Sequence, residues 1–132
     1  MIRTDRSTFK YFLLTICTCG IYGFNFCCKM ADDVNVICEG DGKETVSGAK
    51  LVLLTFCTCG IYGLIWNYSL ANRLSENASR YGLTIKENGS SVIMWSTLGV
   101  LLCCSGPFVG FNIIIKNMNA LASAYNKNTA TN

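Results

Sequence analysis

Two near-identical stretches decide the fold: LLTICTCGIYGF at residues 13–24 and LLTFCTCGIYGL at residues 53–64. Ten of the twelve positions are identical at an offset of 40 residues. Chance does not give such a match in a chain of 132 residues, so the sequence predicts an internal duplication of one structural unit.

A third and weaker copy lies 87 residues after the first. Gly110-Phe111-Asn112 repeats Gly23-Phe24-Asn25, and a lysine follows each run at the same distance. Cys104 corresponds to Cys17, whereas Pro107 replaces the first glycine of the motif. We predict a single membrane domain over residues 1–132, with repeat units at 9–38 and 49–82 and a degenerate unit at 91–126.

The charge distribution predicts membrane spans. Half of the chain is hydrophobic (51%) and only 14% is charged, and residues 11–28, 51–72 and 88–115 carry no charge. About 20 apolar residues of helix cross a bilayer core of about 30 Å. We therefore expect an all-α membrane protein with three transmembrane helices. The alternative, that each segment turns back at its glycines and returns to the same face, is disfavoured because the two halves are short.

A polar or amphipathic helix is predicted to extend each span. Apolar residues recur at helical spacing after each motif, as expected of a buried face. These are Met30, Val34 and Ile37; then Leu70, Leu74, Ala78 and Tyr81; then Met118, Leu121, Ala122 and Tyr125. Arg73 is assigned to an opposite, polar face, and Gly82 is expected to cap a helix. Arg3, Arg6 and Lys10 favour a cytoplasmic N-terminus, so three spans would place residues 30–50 outside and 73–89 inside.

Small residues in the three segments predict close helix packing. In lipid, small side chains let helix backbones approach one another. The candidate packing residues are Gly20, Gly23, Gly60, Gly63, Gly106 and Gly110. Whether they pack within one chain or between chains is left open.

Tyrosine and asparagine residues near the segment ends admit two interpretations. Tyr22 and Tyr62 are expected to anchor the protein at the membrane interface or to bond neighbouring helices. The alternative is that they line a polar path, together with Asn25, Asn67 and Asn112.

The nine cysteines suggest a metal site, but their spacing argues against one. Cys17, Cys19, Cys57 and Cys59 form two C-x-C pairs that could supply thiolates to a metal. On a continuous helix, however, residues two apart point in nearly opposite directions. The preferred interpretation is that cysteine fills small apolar packing positions, so no cofactor is predicted.

Other classes of function lack the residues they need. The chain has no histidine, and no carboxylate lies in an uncharged segment, so enzymatic chemistry is not expected. A net charge of +3 without a basic cluster argues against nucleic-acid binding.

The motif resembles that of a family of small bacterial helical membrane proteins of unknown function. Members share a T-x-G-I-Y motif in a membrane helix, followed by an aromatic residue and then a polar helix. Thr58, Gly60, Ile61, Tyr62 and Trp66 match this pattern, and Asn72 follows. In the first copy Thr18, Gly20, Ile21 and Tyr22 match, with Phe26 in place of Trp, whereas the third segment departs from the motif. The resemblance implies a multi-pass protein of the bacterial inner membrane and no established activity.

From these observations we expect a non-enzymatic membrane protein that assembles into homo-oligomers through Gly/Cys-rich helix faces and has the lipid bilayer as a partner. The first alternative is an oligomeric pore for ions or small solutes. The second is a thiol metal-binding or redox protein.

Overall fold

The computed structural model of the chain describes residues 1–101 and 106–131. These residues form only helices and connecting turns, so the predicted all-α class is confirmed. The helices are α1 (Thr8–Cys17), α2 (Ile21–Ile37), α3 (Gly48–Cys57), α4 (Ile61–Ala78), α5 (Gly89–Leu101) and α6 (Gly106–Thr131), with a 3₁₀ turn at Ser79–Tyr81 after α4.

Each of the first two predicted spans is broken at its motif, so the expectation of continuous helices was wrong. The chain turns at residues 18–20 and 58–60, because two successive residues in each turn adopt the left-handed conformation. Cys19 has φ 49° and Gly20 has φ 93°, and Cys59 and Gly60 repeat these values at 50° and 91°. This conformation ends an α-helix. No helix within the described residues is both long and apolar enough to cross a membrane.

The two helices of each unit pack antiparallel as a hairpin. In the first hairpin Thr15 faces Gly23, and the Tyr11 ring lies 4.8 Å from the Phe26 ring. Thr55 faces Gly63 in the second hairpin. In the third, Gly99 faces Gly106 and Ser96 faces Gly110. The disfavoured alternative, a chain that turns back at its glycines, therefore describes this fold.

The long helices α2, α4 and α6 form the core in their C-terminal halves, which we call the base. The predicted apolar faces are buried here, as the helical spacing indicated. Fully or nearly fully buried are Met30, Val34, Ile37, Leu70, Leu74, Ala78, Met118, Leu121 and Ala122. Gly82 follows the 3₁₀ turn at φ 68°, as a helix cap should.

The segment before α1 lies against α6. The Asn126 side chain exchanges hydrogen bonds with the Ile2 backbone, at 2.9 and 2.7 Å. Asn119 does the same with the Arg6 backbone, at 3.2 and 2.8 Å. The Tyr11 ring stacks on Phe111 at 4.4 Å. The first hairpin is thereby held next to the third.

Candidate functional site

The T-x-G-I-Y motif forms the hairpin turn, and its threonine joins the two helices. Thr18 Oγ1 donates to the Leu14 carbonyl (2.7 Å) and accepts from the Tyr22 N–H (2.9 Å). Thr58 makes the same two bonds, to Leu54 and Tyr62, at the same distances. Each hydroxyl thus satisfies one backbone N–H at the start of the second helix that has no partner within that helix. The role of this threonine was not predicted from the sequence.

Gly20 and Gly60 are turn residues, so their assignment to helix packing was wrong. A Cβ built on either would meet no atom within 4 Å. What requires glycine is the positive φ, which costs an L-residue about 1–2 kcal/mol.

We therefore expect Gly60→Ala to lower the free energy of unfolding by about 1–2 kcal/mol although the position has room for a methyl group. The matched control is Gly63→Ala. Gly63 lies in α4, and its added Cβ would make an ordinary 3.6 Å contact with Thr55. Denaturant unfolding in mild detergent measures both variants, and equal losses would contradict this account of the turn.

The other candidate packing glycines lie between the two helices of a hairpin. A Cβ on Gly23 would come within 2.7 Å of Thr15, and one on Gly110 within 2.6 Å of the Ser96 hydroxyl. A side chain at Gly106 would collide with Gly99 and the Trp95 carbonyl. In the described residues these glycines pack within one chain, which the sequence had left open.

The hairpin ends carry large apolar side chains on their outer surface. We call the turn and the uncharged helix ends beside it the tip. Exposure reaches 84% for Phe56 and 75% for Ile16 and Ile21, values at which these side chains contact almost nothing in the chain. Further exposed tip residues are Leu13, Phe24, Val52, Leu53, Ile61, Leu64, Ile65, Met94, Trp95, Leu98 and Phe108. Large exposed apolar side chains grouped along the chain in this way are typical of an interaction site.

Four exposed lysines mark the boundary between the tips and the base. Lys10 and Lys50 hold equivalent repeat positions, and so do Lys29 and Lys116. The hairpin pairing places Lys10 opposite Lys29, and Lys116 lies 3.6 Å from Glu87 at the start of the third hairpin. We call these residues the basic collar. Among the ion pairs of the described residues, none involves Lys10, Lys29 or Lys50.

A cavity of about 890 Å³, open to the surface, lies between the three hairpins. Its lining includes Thr15 and Gly23 of the first hairpin and Thr55 and Gly63 of the second, and it reaches the turn at Gly60. None of the described residues that line it is charged. The Oδ1 atom of Asn67, a lining residue, is buried and has no hydrogen-bond partner in the part of the chain that the structure describes. We call this space the inter-hairpin cavity.

The candidate polar-path residues lie in different places. Tyr22 and Asn25 line a second cavity of about 460 Å³ beside the N-terminal segment. Asn112 accepts a 2.7 Å bond from Thr8, and half-buried Tyr62 packs against the core. Asn67 is the candidate that lines the inter-hairpin cavity.

The four motif cysteines are exposed at two tips, with a free thiol each. Residues 1–101 and 106–131 contain no group of three or more potential metal ligands. Cys103 and Cys104 of the third segment lie outside the described residues.

Arg73 was assigned to a polar face, but it is buried, with only 4% of its side chain exposed. Its guanidinium binds both Asp41 oxygens, at 2.8 and 2.9 Å, and the Thr45 hydroxyl at 2.8 Å. These bonds hold the pKa of Asp41 well below its usual range. Asn35 also binds Arg73 and, through its own amide, the Thr45 backbone. This network fixes the loop after α2 against α4.

Residues 6–76 and residues 49–120 both match DUF4234, a domain of unknown function. The chain belongs to the DUF4234 family. Each match covers two successive hairpins, and the second hairpin lies in both. The two overlapping matches are consistent with an internal duplication. No curated protein and no solved structure matches the chain.

Proposed function

We propose that this DUF4234 chain is a non-enzymatic membrane protein that inserts its hairpin tips into one leaflet of a bilayer. The observation that carries the proposal is the exposed apolar surface of the tips, which is separated by the basic collar from a charged base. Burying such side chains in an apolar medium is worth about 1.5–3 kcal/mol each.

The depth of the tips fits a single leaflet. Thr18 lies eight positions after Lys10, and Thr58 lies eight positions after Lys50, which is about 12 Å of helix. Half of a hydrocarbon core is about 15 Å. The tips would thus end near the bilayer midplane, with the collar ammonium groups at the depth of the lipid phosphates.

The hairpin arrangement predicts that all loops at the base lie on the same side of the membrane. Three spanning helices would place residues 30–50 and residues 73–89 on opposite sides. Labelling Glu44→Cys, Glu87→Cys and Ala130→Cys with a membrane-impermeant maleimide, read by peptide mass spectrometry, distinguishes these topologies. We expect all three to label from the same side, with Cys17 and Cys57 shielded. Labelling of residues 44 and 87 from opposite sides would overturn the proposal.

Self-association is the second candidate function, because the same exposed tips could be covered by other copies of the chain. Phe56 and Ile16 would then be buried in a protein interface. Mass photometry of the detergent-solubilised protein decides this point: particles larger than one chain support assembly, and a uniform monomer argues against it.

A further inference from the structure

The inter-hairpin cavity opens to the surface, has a mainly apolar lining and contains a polar atom without a partner among the described residues. Its volume of about 890 Å³ lies within the range of ligand pockets, about 300–1,000 Å³. The buried Asn67 Oδ1 has no donor among the described residues. Leaving a buried acceptor unpaired costs about 1–3 kcal/mol, so an occupant that donates a hydrogen bond there would be favoured.

The position of Asn67 identifies the polar end of the cavity. Thr55 faces Gly63 in the antiparallel second hairpin, so Asn67, one turn further along α4, lies at the level of Leu51. Lys50 immediately precedes Leu51, and Lys10 immediately precedes Tyr11, another lining residue. The cavity therefore runs from the basic collar, where Asn67 lies, to the turn at Gly60.

We propose that the inter-hairpin cavity binds one anionic phospholipid with hydroxyl groups in its headgroup. An acyl chain occupies the uncharged interior and runs toward the turns. The phosphate lies near Lys10 and Lys50, neither of which has a carboxylate partner among the described residues. A headgroup hydroxyl donates to Asn67 Oδ1. This inference rests on the proposed membrane insertion and names the lipid that the inserted protein retains.

The two tryptophans allow the lipid site and membrane insertion to be measured separately. Trp66 lines the cavity and is only 5% exposed, whereas Trp95 is 45% exposed on the outer surface of α5. Bromine on a lipid acyl chain quenches tryptophan fluorescence on contact. In the Trp95→Phe variant the emission reports Trp66 alone, and its difference from the wild type reports Trp95.

The vesicles would consist of phosphatidylcholine with a minor component that carries brominated acyl chains. That component is phosphatidylglycerol in one set of vesicles and phosphatidylcholine in the other. We expect the brominated phosphatidylglycerol to quench Trp66 several-fold more than the brominated phosphatidylcholine. Asn67→Leu should raise the concentration of phosphatidylglycerol needed for half-quenching about tenfold. Gly63→Leu, which places a side chain in the cavity, should abolish the Trp66 signal. Asn25→Leu, an exposed asparagine outside the cavity, is the matched control and should change nothing.

The possible failures have different meanings. In vesicles made wholly of brominated lipid, quenching of Trp95 but not Trp66 would leave insertion standing and overturn the lipid site. Equal quenching of Trp66 by the two headgroups would overturn the choice of an anionic lipid. Absence of quenching at both tryptophans would overturn insertion and the lipid site together.

Discussion

Arg73→Met is expected to lower the free energy of unfolding by about 3 kcal/mol, because it removes the guanidinium that binds both carboxylate oxygens of Asp41. The carboxylate would keep only the Lys43 N–H and the Asn77 amide as donors. Only 4% of the Arg73 side chain and 13% of the Asp41 side chain are exposed, so water replaces the lost bonds only in part. The same change frees the Thr45 hydroxyl. Denaturant unfolding followed by circular dichroism in mild detergent measures the loss.

Arg80→Met is the matched control for this change. Arg80 is also near the end of α4, but it is exposed and binds the Asn77 side chain and the Glu39 carbonyl. Its loss should cost less than about 1 kcal/mol. A similar effect of the two substitutions would show that the buried pair does not hold the base together.

The Arg73–Asp41 ion pair also makes the free energy of unfolding depend on pH. The pKa of Asp41 in the folded chain lies below its ordinary value of 3.8, chiefly because Arg73 binds the carboxylate. The stability that it contributes is therefore fully present above about pH 4 and is lost as the pH falls toward the folded pKa. The Arg73→Met variant should lose less stability over this acid range than the wild type does.

Ile16→Glu and Phe56→Glu are each expected to weaken binding to vesicles by nearly a hundredfold. Both side chains lie next to a turn at the end of a tip and are at least three-quarters exposed. A carboxylate at mid-bilayer depth costs about 2.5 kcal/mol or more, which corresponds to that change in partitioning. Co-flotation with liposomes over a range of lipid concentrations gives the partition coefficients.

Val36→Glu controls for the loss of an exposed apolar side chain as such. Val36 is 46% exposed, but it lies in the base, seven residues beyond Lys29. We expect its partition coefficient to stay within about twofold of the wild type, because a surface charge outside the hydrocarbon costs little. If all three variants bound alike, the tips would not be the inserted part.

The repeat and the helical class could be predicted from the sequence, because the duplication and the spacing of buried residues are local patterns. Leu70 and Leu74, for example, recur at a helical interval and are buried. The break within the motif could not be predicted in this way. No charged residue and no proline interrupts residues 13–24, and a glycine such as Gly20 suits both a packed helix face and a left-handed turn. In the structure Cys19, a non-glycine residue, has φ 49°, and this left-handed conformation shows that the motif is a turn and not a packed helix face.

The candidate site could not be predicted from the sequence, because it depends on contacts between residues far apart in the chain. Composition does not reveal such contacts. Arg73 lies among polar residues of an amphipathic helix, and only the packing of the loop that carries Asp41 shows it to be buried. Asn67 was recognised as a polar residue near the end of a segment, but its missing partner is a property of the folded chain. The matching positions of Lys10 and Lys50 were visible in the repeat, yet their place at the boundary between the tips and the base follows only from the hairpins.

The bonds between the segment before α1 and helix α6 have a consequence for how this architecture evolved. Solenoid proteins expose a free stacking surface at each end and can gain or lose units one at a time. Here the first unit contacts the last as well as the second, through Asn119, Asn126 and the stacked Tyr11 and Phe111 rings. The first, second and third hairpins thus form a closed ring. A fourth copy inserted by recombination would have to break that closure, whereas a copy added to the end of a solenoid breaks no existing contact.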